Sequence, residues 1–192
     1  MTSQKREYRF ILQKRLANVS LTKERRLLSC RSIDDVNSVH RRYERDVTAL
    51  IDIQRLIDWA SDHLIDIHFN PSVDCHYINK TVQIKSRLSS VTQLYHLMHE
   101  LGHYMLRRSM KSYFRHFPYG YDSDVPRAET TNRHKIDVIS EELAAWEKGV
   151  SLARRLGVTI DDVELNIRKY AALKTYFQWA ASVDGFVKTT FS

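Results

Sequence analysis

Thr81-Val82-Gln83-Ile84-Lys85-Ser86, followed by Ser89-Ser90-Val91-Thr92-Gln93-Leu94-Tyr95-His96-Leu97-Met98-His99-Glu100-Leu101-Gly102-His103-Tyr104-Met105-Leu106, is the stretch that organises this chain. The first run alternates apolar and polar residues with period two, as a half-buried strand does. The second places Val91, Leu94, Tyr95, Met98, Leu101, Met105 and Leu106 at three- and four-residue steps, one face of a helix that Ser89 or Ser90 can cap. A strand therefore leads into an amphipathic helix. Set into that helix are two histidines four residues apart, with a glutamate directly after the first.

Histidines at i and i+4 lie about 40° apart around a helix, one turn from each other, so two imidazoles can converge on one metal ion. Glu100 sits one residue on, beside that face, where a general base for a water molecule belongs. Gly102 has no side chain and lets a neighbouring element approach closely. A chain with nine His and nine Glu contains H-E-x-x-H by chance in only about 2% of cases, and here the motif also falls on a helix preceded by a strand. A catalytic metal site of this kind takes three protein ligands and leaves one position open. The extended H-E-x-x-H-x-x-G-x-x-H pattern is absent, because Leu106 and Ser109 stand where Gly and His would be required. The third ligand is expected from Ser140-Glu141-Glu142-Leu143-Ala144-Ala145-Trp146 on a later helix, where the alanines allow close contact. Adjacent glutamates point about 100° apart. Glu142 shares a face with the small and apolar Ala145, Trp146 and Gly149 and is preferred; Glu141 is the reserve, with the loop residues His116 and His134 as rivals. His96 lies seven residues from His103, roughly 10 Å along the axis, too far to join one tetrahedral ion.

On either side, the chain reads as follows. Its 192 residues carry 43% apolar and 28% charged residues, 20 aromatics, five Gly and three Pro, which excludes disordered, collagen-like and turn-rich all-β chains. No run is apolar enough to span a bilayer and no signal-peptide core opens the chain, so a cytosolic protein without membrane contact is expected. Cys30 and Cys75 match no metal or redox spacing and read as thiols. Helices are expected over the first 60 residues, with Thr22 capping a short one and Ser32 or Asp34 a longer one. Strands are expected at Leu64–Phe69 and Thr81–Ser86, with a third between Val73 and Ile78. Residues 109–135 lack periodicity and read as a loop rich in Tyr, Phe and His. A helix from Asp137 or Ser140 ends near Gly157, and a last one runs from Ile160 to Val183 with Leu165, Tyr170, Leu173, Tyr176, Phe177 and Ala180 as core. The expected class is α+β, mostly helical, with a small, about three-stranded mixed sheet packed on the His99–His103 helix. Residues 1–62 form a basic helical region packed on the core formed by residues 63–192.

The chain carries 30 Lys/Arg against 23 Asp/Glu, a formal net charge of +7, and residues 1–60 hold 13 of the cations against 8 acids. Such an excess suits a solvated helix face or weak contact with nucleic acid through the N-terminal third.

His99-Glu100-Leu101-Gly102-His103 with Glu142 on a later helix resembles the zinc metallopeptidases of the gluzincin type, and more narrowly the compact bacterial and phage ImmA-like peptidases. The similarity covers residues 64–156; the 38 residues between His103 and Glu142 are more than the compact members have. The resemblance implies a zincin-like core, Zn²⁺ held by His99, His103 and a helix glutamate, and Glu100 as base and proton shuttle. It implies an endopeptidase acting on a specific cytosolic protein, in host cytoplasm if phage-encoded. By the same analogy Val82 to Ser86 would be an edge strand that holds an extended peptide. A second donor for the oxyanion is expected from His134, Tyr119 or Tyr121 in the loop. The other readings are an inactive zincin-like protein that binds a partner or nucleic acid, with a structural metal closed by a fourth ligand such as His116 or His134, and hydrolysis of a small amide.

Overall fold

Two long helices open the chain. In the computed structural model, which describes residues 3–72, 74–126 and 131–182, they are α1 (Ser3–Leu27) and α2 (Ile33–Asp62), packed against each other. Thr22 starts no new helix. Its hydroxyl donates to the Asn18 carbonyl at 2.8 Å inside a continuous α1, the back-bond available to a threonine within a helix. Ser32 does cap α2: its oxygen accepts from Asp35 N while the Asp35 carboxylate accepts from Ser32 N, both at 3.1 Å. The C-terminal half of α2 buries Ala49, Leu50, Ile53, Leu56, Ile57 and Ala60, a helical stripe that joins the main core.

Three strands follow: β1 (Asp66–Asn70), β2 (His76–Ile78) and β3 (Thr81–Lys85). Val73, the expected start of the middle strand, lies outside the described residues. Asn79 and Lys80, at φ 49° and 63°, make the two-residue left-handed turn that matches the twist of a β2–β3 hairpin. The sheet order is β1-β3-β2, with β1 parallel and β2 antiparallel to β3. The strand leading into the motif helix is therefore central, with ladder partners on both sides. The expectation that Val82 to Ser86 is a free edge for a peptide is overturned, because the short β2 folds back onto that edge. Ile67, Val82 and Ile84 point to one buried face, and α3 packs with the sheet in the same apolar core.

Helix α3 (Ser90–Arg107) begins at an Ser89 cap that accepts from Thr92 N at 3.2 Å. Gln93, fully buried, fixes the strand-to-helix turn: its amide donates to the carbonyls of Lys85, Ser86 and Leu88, and its oxygen accepts from Arg15 of α1 at 2.6 Å. The expected loop over 109–135 is not one piece. Ser109 caps a short α4 (Met110–His116), and α5 (Asn132–Arg155) begins from Thr131, well before Asp137 or Ser140. Asp137 instead accepts from Tyr119 N at 2.8 Å, within the second turn of that helix. Residues 127–130 of the segment lie outside the described residues. Gly157, at φ 71°, ends α5, with Val158 N bonded to Ala153 O and Gly157 N to Arg154 O, as in a Schellman cap.

Helix α6 (Asp162–Ala181) corrects a further expectation, and Val183 lies outside the described residues. Only Leu165 and Leu173 are buried, while Tyr170 is 68% and Phe177 57% exposed, so two of the six expected core residues face solvent. The helix is tied down at its ends. Asp52 of α2, wholly buried, accepts from Thr159 N at 3.0 Å just before α6, and Lys135 of α5 donates to the Ala180 carbonyl at 2.8 Å. The whole is mostly helical with one small mixed sheet. Among the described residues no helix is long and apolar enough to cross a membrane.

The closest helix crossing is between α3 and α5. A Cβ on Gly102 would lie 1.9 Å from the Ala145 carbonyl oxygen, and one on Gly149 would lie 2.1 Å from that of Met98. Backbone touches backbone at both points, so neither neighbour can rotate away. Gly102→Ala and Gly149→Ala are each expected to destabilise the fold by about 3 kcal/mol or more, at or above the upper end of overpacking costs. Urea unfolding checks this, and a change below about 1 kcal/mol would contradict so close a crossing.

Candidate metal centre

The α3–α5 crossing brings two histidines of one helix against two glutamates of the other. His99, Glu100, His103, Glu141 and Glu142 are all buried. The His99 and His103 rings stand edge to face with centroids 4.7 Å apart, and Trp146 of α5 stacks on His99, also at 4.7 Å. This fixes ring orientation by packing before any ligand arrives.

His99, Glu100 and His103 each offer a ligand atom, and these atoms lie within 4.8 Å of one another, so the group could hold a metal ion. Two carboxylates compete to complete the set, and the nitrogens they face separate them. Glu100 lies 3.4 Å from His99 Nδ1. Glu142 faces the Nε2 atoms of both rings, at 3.1 Å from His99 and 3.5 Å from His103. Donors on a tetrahedral ion with bonds of about 2.0–2.1 Å are about 3.3 Å apart, so the Glu142 contacts have the spacing of ligands that share an ion. His99 Nε2 and Glu142 Oε2, which face each other at 3.1 Å, are both buried and make no well-formed hydrogen bond among the described residues, a pairing that an ion between them would improve. The cluster could hold a metal ion, and of the two carboxylates Glu142 has the ligand-like spacing to both Nε2 atoms.

Glu141 does not compete with Glu142, since it faces another atom. It lies 3.4 Å from His103 Nδ1, accepts from Tyr113 Oη at 2.6 Å and pairs with Arg107 at 2.7 Å. Glu141 faces His103 Nδ1 without a well-formed hydrogen bond, and its charge there favours a proton on Nδ1 and a free Nε2. Gly120 packs its backbone on this cluster, where a Cβ would be 3.1 Å from Glu141 Oε2, and Arg107 reaches Asp122 at 3.0 Å. The irregular segment after α4 is thus anchored to the support of His103.

The electrostatics follow from this crowding of carboxylates. Burial disfavours protonation of His103, but Glu142, Glu141 and Glu100 outweigh it and raise its pKa to about 10. The same contest raises His99, through Glu100 and Glu142. Burial pushes Glu142 and Glu100 up, yet the imidazoles hold both below the usual carboxylate range. The cluster attracts positive charge, which protons supply in the metal-free chain.

The remaining sequence candidates separate clearly. His116 is exposed on α4, with Nδ1 at 2.8 Å from its own helix's Ser112 carbonyl. His134 is buried elsewhere, with Nδ1 2.6 Å from the Tyr119 carbonyl and its ring edge-on to Trp179. The Tyr119 hydroxyl accepts from Arg133 at 3.1 Å. Tyr121, although 38% exposed, has its hydroxyl beside that of Tyr176, and burial of that hydroxyl followed by the charge of Glu142 raises its pKa. Half-buried His96 stays largely neutral, because burial outweighs the pull of nearby Glu100. The sequence reading missed one residue. Tyr176 of α6, expected in the core, has its hydroxyl beside Glu142 and Tyr121, and burial together with Glu142 raises its pKa. Its only sequence signal was a polar atom on a helix face otherwise apolar.

No family model, no curated protein and no solved structure matches this chain.

The two glutamates are expected to respond differently in a cobalt(II) titration, where visible absorption reports four-coordinate binding. Glu142→Gln should lose the tetrahedral spectrum or weaken binding more than 100-fold. Glu141→Gln should keep the spectrum and weaken binding about 10- to 100-fold, as supporting partners of metal-bound histidines do. Equal losses, or the reverse order, would contradict the assignment.

Proposed function

We propose that this chain is a zinc-dependent metallopeptidase with a zincin-like core, hydrolysing peptide bonds in an extended polypeptide. The observation that carries the reading is the pair of buried imidazole Nε2 atoms converging on the Glu142 carboxylate, with a second carboxylate, Glu100, held next to them. A His₂Glu donor set with nitrogen and oxygen ligands suits zinc, and His99, His103 and Glu142 would hold it. Bound there, zinc would supply Lewis acidity toward a carbonyl and a lowered pKa for water.

The rest of the chemistry belongs to the chain. Glu100 is an unprotonated carboxylate at neutral pH, so it can take a proton from the attacking water as oxygen bonds to the carbonyl carbon. As the carbon–nitrogen bond breaks, Glu100 returns that proton to the leaving amine. Charge develops on the former carbonyl oxygen, and the hydroxyls of Tyr176 and Tyr121 are the neutral donors placed beside the site to receive it. Their raised pKa values keep both protons on oxygen. Glu141 holds His103 in place. Cys75, next to β2, lies near enough to Glu100 for its thiol pKa to be raised by that charge after burial, to about 11. β2 is an edge strand of the sheet, and its free side is the one suited to pair with an extended substrate.

A structural metal site would be closed by a fourth protein ligand. His116 and His134, the candidates for that position, both bond to carbonyls away from the histidine pair, which favours an open, reactive site.

The test uses a zinc-loaded chain incubated with mixed cellular proteins, followed by mass spectrometry of new termini. Glu100→Gln is expected to retain zinc and lose cleavage by at least 10³-fold, while Tyr176→Phe should lower kcat about 10- to 1,000-fold with little change in zinc content. Removal of zinc by a chelator should abolish cleavage and its return restore it. Normal cleavage by Glu100→Gln would sink the mechanism.

A further inference from the structure

The positive charge of this protein is concentrated away from the metal centre. Between Arg9 and Arg45 the first two helices carry ten Lys/Arg and four Asp/Glu, so this stretch holds +6 of the chain's +7. It is not spread evenly. Lys23 and Arg26 of α1 and Arg42 of α2 converge on one groove of about 310 Å³ between the helices, closed at one end by Leu88, Ser89 and Ser90. Thr22 and Tyr43 complete its lining, and the Lys23 ammonium rests on the Tyr43 ring at 4.2 Å. None of the three cations is in an ion pair among the described residues, unlike Arg45, Arg55, Arg107, Arg154 and Arg168 elsewhere. The one acid on the groove wall, Asp46, interacts with the half-buried Arg15 guanidinium.

Three cations line this groove against one carboxylate, which is itself drawn to Arg15, so the groove keeps an excess of positive charge that suits a polyvalent anion. We propose that this groove is a phosphate-binding site for the backbone of a nucleic-acid strand. A groove of this size takes one phosphate with its sugar. The cations outside it, Arg25, Arg31 and Arg41, exceed what a single small phosphate needs and suit a polymer whose charges continue past the groove. The first turn of α3 bounds the groove, and His99 lies nine residues further, about 14 Å along the helix. Strand binding and the metal centre are thus separate sites on one element, and this inference does not depend on the proposed hydrolysis.

Fluorescence anisotropy of the full chain with a labelled 15-nucleotide single-stranded DNA, measured from 50 to 300 mM salt, tests the proposal. Wild type should bind with a steep salt dependence. Lys23→Gln with Arg42→Gln should weaken binding at least tenfold and reduce the salt slope by about 1.4, the loss of two phosphate contacts on a single strand. The control pair Lys111→Gln with Arg115→Gln, exposed on α4 and outside the groove lining, should cost no more than about threefold. Charge-preserving Lys23→Arg with Arg42→Lys should bind as wild type, which separates loss of charge from loss of fold. Three results would overturn the proposal: no binding by wild type at 50 mM salt, equal losses in the groove and control pairs, or complete displacement of the strand by inorganic pyrophosphate at equal phosphate concentration. The last would mark a site for small phosphates.

Discussion

Everything at the metal centre depends on how closely α3 and α5 cross. Gly102 meets the Ala145 carbonyl and Gly149 meets the Met98 carbonyl, so the two backbones touch at two points one to two turns apart. Contact at that distance sets the rotation of each helix as well as its position. His99 and His103 flank Gly102 on α3, and Glu141 and Glu142 precede Ala145 on α5, so fixing the crossing aims the four side chains at one another. A side chain at either glycine would force the helices apart and open the imidazole–carboxylate spacing beyond what one ion can bridge. Trp146, buried and stacked on His99, closes the same junction from the other side.

Such an arrangement carries an electrostatic cost. Three buried carboxylates in a space with two imidazoles and one arginine are expensive to desolvate. Arg107 and Tyr113 answer Glu141, whereas Glu142 is met by the two imidazoles and the Tyr176 hydroxyl, with no arginine or lysine, and one of its oxygens lacks a well-formed hydrogen bond. A core evolved for stability alone would do better with apolar residues there. The pull of these carboxylates on positive charge, met by protonated imidazoles, is what makes the cluster able to hold a metal ion.

Much of this was legible in the sequence because it is local. The period-two runs at Ile67 and Val82 to Ile84, the Ser89 cap and the α3 stripe all express interactions within a few residues, and the mostly helical α+β class with a small sheet followed from them. What failed was non-local. That β2 covers the outer edge of β3 depends on the left-handed Asn79-Lys80 turn, in which Asn79 is a turn former but Lys80 stands where Gly is the usual signal. The start of α5 was missed because Asn132-Arg133-His134-Lys135 has no apolar stripe; its order comes from the Thr131 cap and from His134 packing on Trp179. Tyr170, Phe177 and Tyr176 share one helix and one apolar appearance, yet the first two face solvent and the third reaches Glu142. Only the docking angle of α6 separates them, and no residue of that helix announces it.

The most direct measurement of the central claim is an anomalous-diffraction map, collected at the zinc edge, from crystals of the full chain grown with zinc. The account requires one strong peak about 2.0–2.2 Å from His99 Nε2, His103 Nε2 and a Glu142 oxygen, with Glu100 outside the bonding distance. A vacant cluster in the presence of excess zinc, or a peak coordinated by Glu100 in place of Glu142, would contradict it.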